Sequence, residues 1–519
     1  MKQKLLFSLF FLFTATIAWA DVAINEENFP DENFRNYLLE QENGNDGVLT
    51  DAEIAGVTSI NVREKNIQSL NGIEYFTALK ELDCAKNQLA SLDVSKNTAL
   101  TKLVCNTNQL AALDVSKNIL LETLDCEKNL LTALDVSKNI ALTGLGCSKN
   151  QLTSLDVSQN TALKKLVCYT NQLTALDVSQ NTALENLDCG YNQLTAIDVS
   201  KNTELKTFYC DHNQLTAIDV SKNSAVWYLN CNNNPMTSLD VTQNTALEKL
   251  YCYESQLTSL DVSKNTALKI LDCWNNQLTS LDVTQNSALE ELICYYNQLT
   301  ALDVSKNTAL TNLDLWCNNV TALDVSKNTA LEYLDCGINK LTTIDVSKNP
   351  ELKTFYIDFN QLTTLDVSKN TLLDYLSCDN NQMTALDASG CIEMTQLDCH
   401  MNQFKGETMD ALIENLPTVS EGKMYVIYCE NEQNVMTVTQ VVAAKAKGWT
   451  PYYCTGFDDE GYDVWAEYEE SNAPTSIESL TPATSPRGEG SIYTLDGRKL
   501  GTKPTQRGIY IVNGKKVLK

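Results

Sequence analysis

Residues 100–120 read LTKLVCNTNQLAALDVSKNIL, and this stretch decides the fold because it recurs. The template LxxLxCxxNQLxxLDVSKNTA repeats every 21 residues, without a gap, across residues 79–399. Its Asp returns 15 times from Asp93 to Asp387, always 21 apart. A fixed short period of this kind means stacked coils, each burying its apolar residues against its neighbours. Within one coil, Leu100, Leu103, Cys105, Leu110, Leu113 and Val115 are the inward positions. Lys102 to Asn106 alternates polar and apolar, which predicts a short strand with one buried face. Stacking then lines these strands into one parallel sheet. The ALDVS half alternates in the same way and leaves no room for a proper helix.

Two asparagine columns run through the array, one through Asn108, Asn129 and Asn150, the other through Asn97, Asn118 and Asn139. At a tight corner an Asn amide satisfies backbone groups of its own and the adjoining coil, and Asn tolerates left-handed backbone. Cysteine fills the same inward strand position in 14 of 16 strands, from Cys84 to Cys399, with Leu315 and Ile357 in the other two. Side chains in register on parallel strands do not present the dihedral a disulfide requires. Exchange with Leu and Ile marks the site as apolar, so the column reads as buried free thiols. Ligands 21 residues apart on one column lack the clustering that zinc demands. Cys317 stands two positions beyond the column and is expected to be accessible. The Asp93 column reads as local turn bonding to Ser95, not as a metal ladder.

Template and period resemble the leucine-rich repeats of internalins, in particular the subgroup with 21-residue coils and a cysteine ladder. NIQSLNGIEYFTALKEL (residues 66–82) resembles an internalin first coil and is one residue longer than the others. The resemblance covers residues 58–403. It implies a leucine-rich-repeat solenoid, a curved right-handed superhelix, held at or released from the cell surface and binding a partner on its concave parallel sheet.

Around the array the sequence divides into a signal peptide (1–20), a helical N-terminal cap (21–57), the solenoid (58–403), a C-terminal cap (404–470), a linker (471–490) and a tail (491–519). Lys2 and Lys4, the apolar run from Leu5 to Phe13 and the Ala18-Trp19-Ala20 site carry the export reading. The apolar run is too short to span a bilayer, so no integral membrane segment is expected after cleavage. Residues 29–57 read helix, Gly-rich loop, short helix, and resemble the EF-hand-like caps of bacterial repeat proteins. With Gly47 at loop position six, the resemblance implies Glu42, Asp46 and Glu53 as candidate Ca²⁺ ligands, while Gly44 stands where a ligand side chain is usual.

The rear cap reads as an α/β unit: helix 407–416, strand 424–429, a helix capped at Thr437 with Gln440 in its third position, and strand 449–454. Cys429 and Cys454 lie off the ladder on neighbouring strands and are the candidate disulfide. YTLDGRKL (493–500) and RGIYIVNGKKVLK (507–519) resemble the end of a type IX secretion sorting signal, which implies the outer surface of a Gram-negative bacterium.

Charge and motifs narrow the function. The net charge of −27 excludes nucleic acid and anionic membranes as partners. His212 and His400 are the two histidines, nine coils apart, and no nucleophile elbow, HExxH or phosphate loop accompanies them, so no enzyme and no obligate cofactor is expected.

Comparing the coils with one another locates the variation. The DVSKN half stays nearly constant, whereas outward strand positions change and gather aromatics: Tyr209, Tyr228, Tyr251, Tyr253, Trp274, Tyr295, Trp316, Tyr333 and Tyr356. Tyr253, Trp274, Tyr295 and Trp316 occupy consecutive coils and predict one exposed stripe. Exposed Trp and Tyr are enriched at binding hot spots, so the chain reads as a monomeric adhesin or recognition protein for an extracellular protein or glycan. The alternative is a structural spacer of the cell envelope, whose aromatics only brace neighbouring strands. A block of seven coils is itself duplicated between residues 184 and 331, so array length changes readily.

Overall fold

The computed structural model describes residues 21–458, 462–471 and 473, together with the backbone of four short strands between residues 492 and 518. The stretch expected to be a signal peptide (1–20) and most of the expected linker lie outside the described residues. The chain forms two units, one up to Gln214 and one from Leu215 onward.

In the first unit the strand pair Val22–Ala23 and Val48–Leu49 runs antiparallel beside helix α1 (Glu32–Glu40) and helix α2 (Asp51–Gly56). Asp31 caps α1 through the Phe34 amide at 3.0 Å, and its second oxygen accepts from Gln68 at 2.7 Å and Ser69 at 3.1 Å. One carboxylate thus both starts the helix and ties the cap to the first coil. Phe29, Phe34 and Phe76 are wholly buried there and cover the front apolar layer. The Phe29 ring lies so close to Gly72 that a Cβ would sit 2.2 Å from its Cδ1, and Gly72 adopts φ 104°. This glycine absorbs the extra residue of the first coil.

The solenoid follows from Ser59–Asn61 through Glu81–Asp83 and Lys102–Val104 to Thr207–Tyr209, all parallel and paired at a 21-residue offset. Leu100, Leu103, Cys105, Leu110 and Val115 are fully buried, as the template requires. Each buried leucine contributes about 1.5–3 kcal/mol relative to exposure, and repetition stacks that contribution coil upon coil.

The corners are held by the asparagines. Asn108 donates from Nδ2 to the carbonyls of Cys105 and, one coil back, of Cys84, both at 3.0 Å, and accepts from Leu89 at 3.0 Å. Asn118 donates to Val94 and Asn97 of the preceding coil, both at 2.9 Å. The left-handed residue differs from expectation: it is the one before the first asparagine, as at Lys86, Thr107 and Lys128, each with φ 54°. The asparagine follows in ordinary backbone, because its amide must turn inward to reach two coils. The Asp column behaves as read from the sequence, with Asp93 accepting from the Ser95 amide at 2.9 Å and Asp114 from Ser116 at 2.8 Å.

The second unit repeats this plan from Tyr228–Asn230 to Gln396–Asp398. The DVSKN side pairs as strands at Thr364–Asp366 and Ala385–Asp387. Where a second-column Asn is expected, the last coil has Cys391, whose Sγ donates to Val367 at 3.1 Å in place of the amide. The rear cap extends the same sheet: Gly422–Ile427 pairs parallel with Gln396–Asp398, Trp449–Phe457 parallel with that, and Asp463–Glu467 closes antiparallel. Helices α3 (Glu407–Glu414) and α4 (Val438–Ala446) pack behind it, α4 with the Thr437–Gln440 capping box. Trp449 is fully buried and its Nε1 donates to Pro417 at 2.9 Å. In the tail, Ile492–Tyr493, Lys499–Leu500, Ile509–Val512 and Lys515–Leu518 pair antiparallel.

Candidate binding site on the strand face

Alternation within each three-residue strand sends the central Leu inward and its two neighbours outward. This places Tyr251, Tyr253, Trp274, Tyr295, Trp316, Tyr333 and Tyr356 on the outward face of the second unit, all half-buried and none fully exposed. Tyr228 stands on the same face and Tyr209 on that of the first unit.

Their half-burial comes from contact with one another. Tyr253 stacks on Trp274, and Trp274 on Tyr295, each pair with centroids 4.9 Å apart and planes 13° from parallel. That spacing is the coil rise itself, about 4.8 Å, so parallel strands in register stack identical ring positions with no adjustment. The expected four-ring stripe ends one ring early. Trp316 turns away and meets Tyr296 edge to face at 4.9 Å and 75°. It packs against a small apolar patch formed by Cys317 and Ile338 and flanked by Tyr296 and Phe359. All four lie in the left-handed column, where φ is 57° at Cys317 and 45° at Ile338. Cys317 is therefore 1 % exposed, correcting the expectation that it is accessible. The column was readable in the sequence as Tyr296, Cys317, Ile338 and Phe359 at 21-residue spacing, but it lay outside the strand pattern.

The sequence reading also missed what lies between the rings. Outward carboxylates recur at Asp272, Asp314, Asp335, Asp358, Asp379 and Asp398. Burial, with Glu291 and Asp314 nearby, pushes Asp272 up to about 7. Burial likewise pushes Asp314 and Asp398 up to about 6, and it raises Asp335 and Asp358 with help from adjacent carboxylates. Tyr375 donates to Asp398 at 2.7 Å and Ser377 to Asp379 at 2.7 Å. Tyrosines continue along the face, Tyr333 to Tyr356 at 5.9 Å and Tyr356 to Tyr375 at 5.0 Å. The cap strands add Tyr425, Tyr452 and Trp465 to it.

Comparison with solved structures decides the family. The chain is similar to the functional domain of InlJ from Listeria monocytogenes, which includes a cysteine ladder, with 30% identity, 88% of this chain and 97% of that one covered, and a TM-score of 0.62. The chain belongs to the internalin family of leucine-rich-repeat proteins. A leucine-rich-repeat protein of Leptospira interrogans shares the fold at 24% identity over 71% of this chain and 96% of that one, with a TM-score of 0.57. YopM of Yersinia enterocolitica shares it at 22% identity over 72% and 84%, with a TM-score of 0.55. No protein-family model and no curated protein matches the sequence.

The ladder of this internalin is a column of separate thiols. Its cysteines from Cys84 to Cys399 are buried, and burial raises Cys105, Cys294 and Cys399 above the ordinary thiol range. Some donate weakly to the next strand, as Cys189 does to Tyr209 at 3.4 Å. In the rear cap, the Sγ atoms of Cys429 and Cys454 come within 3.0 Å, both as free thiols, with Cys429 exposed.

The front-cap carboxylates do not converge. Glu53 folds back onto its own helix, accepting from the Thr50 amide at 2.8 Å and the Thr50 hydroxyl at 2.7 Å in a capping box. Asp46 accepts from the Val48 amide at 3.0 Å, and Glu42 is exposed. Among the described residues no three His, Cys, Asp or Glu side chains gather as a metal site would require. His212 bonds Asp211 at 3.0 Å in the first unit, and His400 faces Asp379 at 3.5 Å in the second. No helix among the described residues is long and apolar enough to cross a membrane.

Proposed function

We propose that this internalin-type chain is a non-catalytic binding protein, exported to the cell surface or beyond it, that engages an extracellular partner through the strand face of its second unit. The Tyr253–Trp274–Tyr295 stack carries the reading. A spacer needs no large rings on an outward sheet face, and the first four ladder strands, Glu81 to Gly146, have none. The stack favours a protein over a glycan. Both faces of Trp274 are covered by its neighbours, so a sugar ring cannot lie on the indole, whereas the ring edges remain available to a protein surface. Kinship with internalins supports a binding role, and the type IX-like tail supports surface display.

The test is partner capture from host-protein and glycan screens with the mature chain. Affinity is then measured for Trp274→Ala and Trp316→Ala, with Lys102→Ala and Thr123→Ala on the front strands as controls. Loss of about 2 kcal/mol or more in the tryptophan variants alone, at a temperature well below each melt, supports the site. Normal binding by both overturns it.

A further inference from the structure

Between Lys249 and Lys423 the outward strand positions of the second unit contain seven acidic residues and no Lys or Arg. At the coil rims of the same chain, charges are balanced. Lys206 meets Glu185 at 2.6 Å, Lys269 meets Glu248 at 2.8 Å and Lys353 meets Glu332 at 2.6 Å. Among the described residues the face has no such pairs, and its carboxylates are more buried than those at the rims.

Asp272 is the clearest case. Leu271 and Cys273 beside it are fully buried in the core, so its side chain leaves by the opposite, outward face. It is nevertheless only 8 % exposed, and its Oδ1 makes no well-formed hydrogen bond, the Trp274 amide being the donor nearby. A buried carboxylate so weakly donated to is costly, and a donor arriving from outside reduces the cost. Farther along, Gly337 opens a gap in the ring column. A Cβ there would lie 2.5 Å from Asp358 Oδ1 and 2.7 Å from Trp316 Cδ1, so carboxylate and indole meet above bare backbone. Asp335 flanks the gap and fixes it by accepting the Gly337 amide at 2.9 Å. A carboxylate beside an indole is the combination that takes an organic cation, by charge and by the ring face together.

We propose that the strand face from Asp272 to Asp398 receives a Lys- or Arg-bearing segment of a partner polypeptide, with cationic groups entering beside Asp272 and over Gly337 between Trp316, Asp335 and Asp358. The proposal rests on the reading of this face as the binding surface and adds the chemistry of the partner. The net charge of −27 steers such a segment toward the protein. Burial first, and neighbouring carboxylates second, raise the acids on the face, and a cationic partner offsets both.

The experiment measures fluorescence anisotropy of labelled nona-arginine and nona-lysine peptides against the full mature chain. The D314N/D335N/D358N variant is compared with E122Q/E204Q/E351Q, which removes the same charge at exposed sites off the face. The isosteric amides relieve repulsion, so the first variant is expected to fold, with a melt no lower than wild type. The inference holds if that variant weakens binding at least about tenfold while the charge-matched control changes it less than about twofold. It is overturned if the face variant binds as wild type, or if both variants lose affinity equally, which would make the effect one of net charge. The same two variants are run against the partner found by screening. Normal binding by D314N/D335N/D358N alongside loss in Trp274→Ala sinks the cationic partner and leaves the face reading standing. No effect of either sinks both.

Discussion

The indole of Trp274 lies parallel to the phenol ring of Tyr295, with centroids 4.9 Å apart, and Tyr253 closes its other face in the same way. A ring held on both sides is structural as well as available. Stacked aromatic pairs contribute about 0.5–1.5 kcal/mol each beyond area burial. Trp274→Ala is therefore expected to lower the urea unfolding free energy by about 1–3 kcal/mol. Trp274→Phe, which keeps both stacks, should lower it by under about 1 kcal/mol. Equal losses would show that the stack contributes nothing.

Stability should depend on pH in two separate windows. Asp188, Asp314 and Asp398 sit near 6 and Asp272 near 7 in the folded chain, above their unfolded value of about 3.9. The folded state therefore binds more protons, and the stability this gives is complete below the unfolded value and lost as pH rises through 6 to 7. The Asp column has the opposite sign. Backbone and hydroxyl donation from the following Ser or Thr lowers Asp114, Asp135 and Asp240, so their contribution is lost as pH falls below about 4. Thermal melts should rise by several degrees from pH 8 to pH 5 and fall again in stronger acid. A maximum above pH 7 contradicts the placement of the buried acids.

The thiols sort by location. In the folded, reduced chain a polar thiol reagent should modify Cys429 first and leave the ladder and Cys317 untouched, since those are buried. Denaturation without reductant should release all 14 ladder thiols. Mild oxidation should join Cys429 to Cys454 alone, given their 3.0 Å approach, read as a single cross-linked peptide after digestion. Cross-links between ladder cysteines would overturn the reading of the column as separate apolar groups.

Glu53 offers a discriminating pair of substitutions. As a capping-box residue it is replaceable by Gln but not by Ala. Glu53→Ala should cost about 0.5–1.5 kcal/mol, the net worth of a hydrogen bond, and Glu53→Gln little, and EDTA should leave both melts and that of wild type unchanged. A Ca²⁺-dependent melt abolished by Glu53→Gln would instead restore the metal reading of the front loop.

The coil was legible because its physics is periodic. Leu103, Cys105 and Val115 are buried for reasons that hold in every repeat, so one unit read correctly gives all of them. The face was less legible because its properties arise between coils. Tyr253, Trp274 and Tyr295 were identifiable as a column, but their mutual stacking, and so their half-burial, depends on strand spacing. Asp314 and Asp358 were not singled out among the many acids, and only the sheet shows them on one face without a Lys or Arg beside them. Cys317 was misjudged because its burial depends on Ile338, one coil away, and on left-handed backbone that the strand pattern does not encode.

The asparagine bonds point one way along the chain. Asn108 holds Cys84 and Leu89, and Asn118 holds Val94 and Asn97, each grasping the coil before it. Most junctions, those at Ser255 and Cys391 excepted, are therefore interchangeable, and one coil can be excised or inserted whole without inventing a new seam. A deletion of 20 or 22 residues would sever both grips at once, whereas one of 21 would leave them intact. Reach, in such a molecule, can be retuned in discrete steps while the grip itself is inherited unchanged.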